Sequence, residues 1–113
     1  MNTESLVHLF HILIVGGLFL YVGIHNTNIP IQMFPLLFGL GIFIIFYHLF
    51  KVYKYINLGK SYWVNLIHIL LVGPLLIFIG YNVDKTARLY FELLLMLGFA
   101  SIGYHGYYLL NSE

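Results

Sequence analysis

Residues 11–23 read HILIVGGLFLYVG, and residues 68–80 read HILLVGPLLIFIG. After its leading histidine each stretch is almost wholly apolar, and neither has the polar stripe that a helix on the surface of a soluble protein needs. Working outward, the first stretch lies in an apolar run from Leu6 to Ile24, interrupted only by His8 and His11. The second lies in a run from Tyr62 to Tyr81, and two further runs cover Ile31 to Phe50 and Ala87 to Leu110. Each has about 20 residues, the length that carries an α-helix across about 30 Å of hydrocarbon. Backbone groups in lipid must be satisfied within their own segment, so the spans are helices. The predicted fold is all-α and integral to the membrane, with four transmembrane helices in one membrane domain covering residues 1–113.

Composition agrees. Of 113 residues 61% are hydrophobic and 8% charged, against roughly 25% charged in soluble domains. A chain this short leaves much of its surface exposed and cannot hide that apolar excess in water. The absence of cysteine excludes disulfides, thiolate metal sites and thiol catalysis. A net charge of +1 gives no electrostatic reason to expect nucleic acid as a partner; the lipid bilayer is the expected one. No basic residue precedes the first run and no small-residue cleavage site follows it, so it is expected to be a retained span, not a signal peptide.

The two quoted stretches belong to a longer internal repeat. A shift of about 57 residues lays Val7–His48 on Val64–His105 without a gap, with about 17 identities in about 42 positions. His11 falls on His68, His48 on His105, Tyr47 on Tyr104, Gly16 on Gly73, Gly23 on Gly80 and Gly41 on Gly98. The chain therefore reads as two tandem two-helix repeats, residues 5–56 and 62–113. Each holds an even number of spans, so the copies share an orientation, and a pseudo-two-fold axis along the membrane normal is expected to relate them. Both termini and the middle loop fall on one side, side A. The loop carries Lys51, Lys54 and Lys60 against Lys85 and Arg88 opposite, which predicts side A to be cytoplasmic. Tyr53, Tyr55, Tyr62, Trp63, Tyr107 and Tyr108 supply an aromatic belt there.

The matched identities lie on single helical stripes: Val7, His11, Val15 and Leu18 in the first span, Phe34, Leu37, Gly41, Ile45 and His48 in the second. Lipid asks only for generic hydrophobicity, so such stripes are expected to face protein. His11 and His68 lie roughly 9 Å inside the side-A ends of their helices, and His48 and His105 roughly 7.5 Å inside theirs. The expectation is one four-histidine layer beneath side A.

Neutral imidazole binds zinc, copper, iron and nickel, and ionisable residues within a membrane are functional candidates by default. With no carboxylate near the layer, magnesium and calcium are disfavoured. Two cofactors fit: haem b, and a transition-metal ion (Zn, Cu or Fe). Haem would take axial ligands from facing helices at equal depth, His11 with His68 or His48 with His105. Gly41 and Gly98 would then leave room for the macrocycle, and Lys51, Lys54 and Lys60 would meet its propionates. A metal ion would use His11, His48, His68 and His105 together. Electron transfer is the activity expected where the ligand is haem or a redox-active ion. The alternatives are a proton or metal-cation channel or transporter built on the same histidines, and a structural or assembly subunit without a ligand.

The other features read as structural. His8 and His25 match Asn65 and Asn82 across the repeat and read as interfacial polar residues. Arg88 and Glu92, four apart, read as a surface ion pair. Gly16 with Gly23 and Gly73 with Gly80 form small-residue seams for close helix contact, within the chain or in a homo-oligomer. No hydrolase or nucleotide motif is present, and enzymatic activity is not expected.

Overall fold

The computed structural model describes residues 2–111; Met1, Ser112 and Glu113, the last two closing the expected second repeat, lie outside the described residues. Four helices are long and apolar enough to cross a membrane: α1 (Thr3–Asn28), α2 (Met33–Leu58), α3 (Trp63–Lys85) and α4 (Arg88–Asn111).

The helices overrun the apolar runs, for local reasons. Helix α1 begins at Thr3 because the Asn2 side chain accepts from the Ser5 backbone N–H at 2.7 Å, an N-cap. Helix α2 continues two turns beyond Phe50, carrying Lys51 and Lys54, and stops where Gly59 turns left-handed at φ 69°. There the Gly59 N–H donates to Ile56 O at 3.2 Å and the Lys60 N–H to Tyr55 O at 2.9 Å. That bond pair is a Schellman motif, which satisfies carbonyls the helix end would otherwise orphan. At the opposite ends of α1 and α3, Asn26 (φ 55°) and Val83 (φ 54°) make the turns with positive φ.

The chain divides into two compact units: α1 with α4, and residues 29–86, which contain α2 and α3. This differs from the hairpins expected of residues 5–56 and 62–113, because each unit takes one helix from each repeat. The glycine seams account for the choice of neighbour. In the first unit a Cβ at Gly16 would lie 2.7 Å from Ile102, and one at Gly23 would lie 2.8 Å from Leu95. Position numbers rise along α1 as they fall along α4, so the two helices run antiparallel. In the second unit a Cβ at Gly73 would collide with Ile45 Cγ1, and one at Gly80 would lie 2.6 Å from Phe34 O; α2 and α3 are antiparallel too. The seams Gly16–Gly23 and Gly73–Gly80 are thus packed inside the units.

The stripe expected of the second span is buried at Phe34, Leu37 and Gly41. In α1, by contrast, Val7 is exposed, His11, Val15 and Leu18 are half-buried, and Gly16, Phe19, Val22 and Gly23 are the buried positions. Phe91 and Leu94 of α4 are fully buried, as are Leu37 of α2 and, within 1%, Phe34. Large apolar side chains such as Leu13, Phe46, Leu70 and Phe99 stay exposed, which a bilayer tolerates and water does not.

Candidate functional site

The histidines sit where the helical ladder changes pitch. A single π-helical turn occupies His11–Val15 in α1 and His68–Val72 in α3. In each, the histidine ring donates from Nδ1 to the carbonyl four residues earlier, His11 to Val7 O and His68 to Val64 O, both at 2.8 Å. That carbonyl also takes part of the histidine's own backbone N–H. A side chain competing for a ladder acceptor in this way loosens the α pattern, and the turn closes one residue later, from Gly16 N–H to His11 O and from Gly73 N–H to His68 O. Such π-bulges occur often at functional sites. Ser101 Oγ adds a 3.2 Å hydrogen bond to His11 O; its counterpart across the repeat, Ile44, cannot.

Each π-turn histidine stacks on a histidine of its partner helix. In the first unit His11 lies on His105, ring centroids 4.3 Å apart and planes 22° from parallel. In the second His68 lies on His48, at 4.0 Å and 16°. The second ring of each pair is held by a polar residue three positions before the π-turn histidine. His48 Nδ1 meets Asn65 Oδ1 at 2.6 Å, and His105 Nδ1 meets His8 Nδ1 at 2.8 Å. Asn65 and His105 are buried; Tyr108 stacks on His8, and Tyr47 and Tyr104 stand edge-on to His48 and His105.

These bonds fix where the ring hydrogen sits. A backbone carbonyl only accepts, so in His11 and His68 the Nδ1 carries the hydrogen and Nε2 keeps the lone pair of the neutral ring. The Asn65 oxygen imposes the same state on His48. An imidazole anchored through one N–H to a carbonyl or amide oxygen, with its other nitrogen as donor atom, is the arrangement characteristic of metal-binding histidines.

Within the units the sequence-predicted residues are paired as His11 with His105 and His48 with His68; the expected axial pairs, His11 with His68 and His48 with His105, each join residues of different units. Among the described residues no group of three or more His, Cys, Asp or Glu side chains that could hold a metal ion is found. The space that Gly41 and Gly98 were expected to leave for a macrocycle is filled by the facing helix. A Cβ on Gly41 would lie 2.7 Å from Gly73 O, and one on Gly98 would lie 3.1 Å from Leu20 and Phe19. Lys51 Nζ lies 4.9 Å from the centre of the Tyr55 ring and Lys60 Nζ 5.9 Å, cation–π contacts at the loop end of α2. Arg88 and Glu92 form the expected exposed pair at 3.1 Å.

Sequence reasoning missed His8 and Asn65. Both had been set aside because they differ across the repeat, yet they occupy one position and do one job. Their three-residue spacing from His11 and His68 places them on the same helical face as those histidines, a signal that was present in the sequence. No family model, curated protein or solved structure matches the chain.

Proposed function

We propose that this chain is a multi-pass membrane protein that binds a first-row transition-metal ion (zinc, copper or iron) through paired imidazoles, His11 with His105 in one unit and His48 with His68 in the other. The observation that carries the reading is the anchoring of Nδ1 in His11, His68 and His48 to oxygen acceptors, which makes Nε2 the donor atom of each.

The stacked separations argue against axial haem ligation within a unit. Axial imidazoles lie on opposite faces of a macrocycle with metal–nitrogen bonds of about 2 Å, which sets their ring centroids roughly 6 Å apart. Two imidazoles on one tetrahedral ion need their nitrogens only about 3.3 Å apart. On the centroid measure two imidazoles on one tetrahedral ion stand roughly 5 Å apart. The stacked rings, at 4.0 and 4.3 Å, are nearer to that than to axial ligation, and planes only 16° and 22° from parallel require one ring to turn before both lone pairs meet one ion. Two imidazoles fill half of a four-coordinate shell, and water or an exchangeable ligand completes it. Copper or iron so held carries electrons, whereas zinc has no redox chemistry. The incomplete shell also favours a second reading, in which the same pairs hand a metal cation onward during transport.

The recurrence of π-turns, stacked pairs, seams and positive-φ turns at positions 57 apart supports the reading of residues 5–56 and 62–113 as tandem repeats. Four crossings would bring both termini to one side, and the lysines at 51, 54 and 60 favour the cytoplasm for it.

The test is metal analysis and an absorption spectrum of the protein purified in detergent. About two zinc, copper or iron ions per chain, removable by chelator, are expected. A Soret band would replace the ion with haem, and a colourless, metal-free sample that takes up no added ion would leave a structural role.

A further inference from the structure

The loop end of the unit formed by α2 and α3 gathers positive charge that no carboxylate of the unit offsets. Helix α2 outruns its apolar stretch by two turns, and the overrun carries Lys51 and Lys54. Tyr47, Lys51 and Tyr55 follow one another at four-residue spacing on one helical face. Lys51 Nζ lies 6.0 Å from the centre of the Tyr47 ring and 4.9 Å from that of Tyr55. The left-handed turn at Gly59 then reverses the chain, and the Lys60 N–H donates to Tyr55 O. That reversal brings Lys60 Nζ to 5.9 Å from the same Tyr55 ring. One tyrosine thus holds two ammonium groups. An aromatic face attracts each of them but brings no counter-charge, and the two cations repel one another. The one acid in residues 29–86 is Asp84, in the turn that ends α3, about 30 Å away along that helix.

We propose that this cluster binds the headgroup of an anionic phospholipid: Lys51 and Lys60 meet its phosphate, Tyr55 positions both ammonium groups, and Lys54 adds to their field. Lys54 and Lys60 are exposed, as are Tyr53 and Trp63 at the same end of the unit, and amphipathic rings of that kind sit at headgroup level. A lysine beside an anionic membrane surface strengthens binding about fivefold. The other unit lacks the cluster. Its counterparts of Lys51 and Lys54 are Tyr108 and Asn111, and the first turn of α1 carries Glu4. Orientation in a membrane asks only for lysines on one side; it does not ask two of them to share a ring. The inference rests on the membrane part of the reading above and not on its metal part.

The experiment uses the full chain in phosphatidylcholine nanodiscs, with Trp63, its single tryptophan, as reporter. The discs receive the same small share of either phosphatidylglycerol or phosphatidylcholine brominated on the acyl chains, which quenches a tryptophan it touches. Brominated phosphatidylglycerol should be preferred about fivefold or more at low salt, and the preference should shrink as salt is raised. Lys51→Gln together with Lys60→Gln should bring the two lipids level, while unchanged quenching by brominated phosphatidylcholine shows that the variant still sits in the bilayer. Tyr55→Leu leaves the charge untouched and should reduce the preference about twofold or more, whereas Tyr55→Phe keeps the ring and should keep the preference. Inorganic phosphate, compared with chloride at equal ionic strength, should leave the preference unchanged. Displacement of the lipid by inorganic phosphate would assign the cluster to a soluble phosphate and overturn the lipid site. Equal quenching by the two lipids in the wild type overturns it as well, as does a preference that survives the double lysine variant or Tyr55→Leu. Quenching by neither lipid would bring down the membrane reading and this proposal with it, whereas equal quenching by both sinks the headgroup site alone.

Discussion

Replacing Gly41 by alanine adds one methyl group, and its surroundings show where the two helices of its unit touch. The added Cβ would stand 2.7 Å from Gly73 O, 2.8 Å from Ile77 Cγ1 and 2.9 Å from Ile77 N. Two of these three atoms are backbone, so no rotamer change makes room, and α2 and α3 must separate by several tenths of an ångström along the seam. Overpacking of that kind costs about 1–3 kcal/mol. At 1–2 kcal/mol the folded population already falls about 5- to 30-fold relative to the unfolded one. Gly39, two residues away, supplies the control: a Cβ there meets nothing within 4 Å. Gly39→Ala should be neutral or stabilising by up to about 1 kcal/mol, the helix propensity gained by removing a glycine. Gly98→Ala, in the other unit, should fall between, because its nearest contacts are side-chain atoms at 3.1 Å. Unfolding in mixed micelles followed by circular dichroism measures all three. The expected order of loss is Gly41, then Gly98, then Gly39. A Gly41→Ala protein as stable as Gly39→Ala would refute the seam as the determinant of helix contact.

Val83 is β-branched at φ 54° and ψ −128°, strain of about 1–3 kcal/mol. Val83→Gly gives back about 0.5–1 kcal/mol in chain entropy, so a net stabilisation of about 1 kcal/mol is expected in the same unfolding assay, and a loss would mean the turn is unstrained. Replacing His48 and His105 together by leucine should abolish stoichiometric metal while leaving the helical circular dichroism signal intact; metal retained at full occupancy in that variant would rule out the paired-imidazole sites. Tags placed at the two termini should be labelled from the same side of the membrane in oriented vesicles, and labelling from opposite sides would contradict a four-crossing topology.

The spans were legible because apolar length is a strong signal. Their ends were less so: the lysines after Phe50 suggested a stop, but a helix can run on into the interface, and α2 does so until Gly59 reverses φ. Which helices pair was not legible. The repeat shows that position 16 resembles position 73, yet nothing in the repeat says that position 16 faces position 102 and not a residue of the second span. Stripe analysis brought His11, His48, His68 and His105 to the protein side of their helices, and the partners within a unit followed only from the antiparallel contacts of α1 with α4 and α2 with α3. His8 was lost for a different reason. Identity across the repeat served as the filter, and the chemistry at that position is preserved in a different residue type, since imidazole and carboxamide both bond a ring nitrogen.

Helix contact and histidine placement meet in one residue of each unit. Gly16 closes the π-turn by donating to His11 O, and a Cβ on it would lie 2.7 Å from Ile102 and 3.2 Å from His11 O. Gly73 does the same for His68, against Ile45. The glycine therefore sets both the distance between the paired helices and the pitch of the turn that carries the histidine. A larger residue there would push the partner helix outward, and the ring on that helix, His105 or His48, would move with it. The stacking distances of 4.3 and 4.0 Å thus depend on the seam as well as on the histidines. A disturbance of the seam in one unit should weaken its imidazole pair even where no histidine is changed.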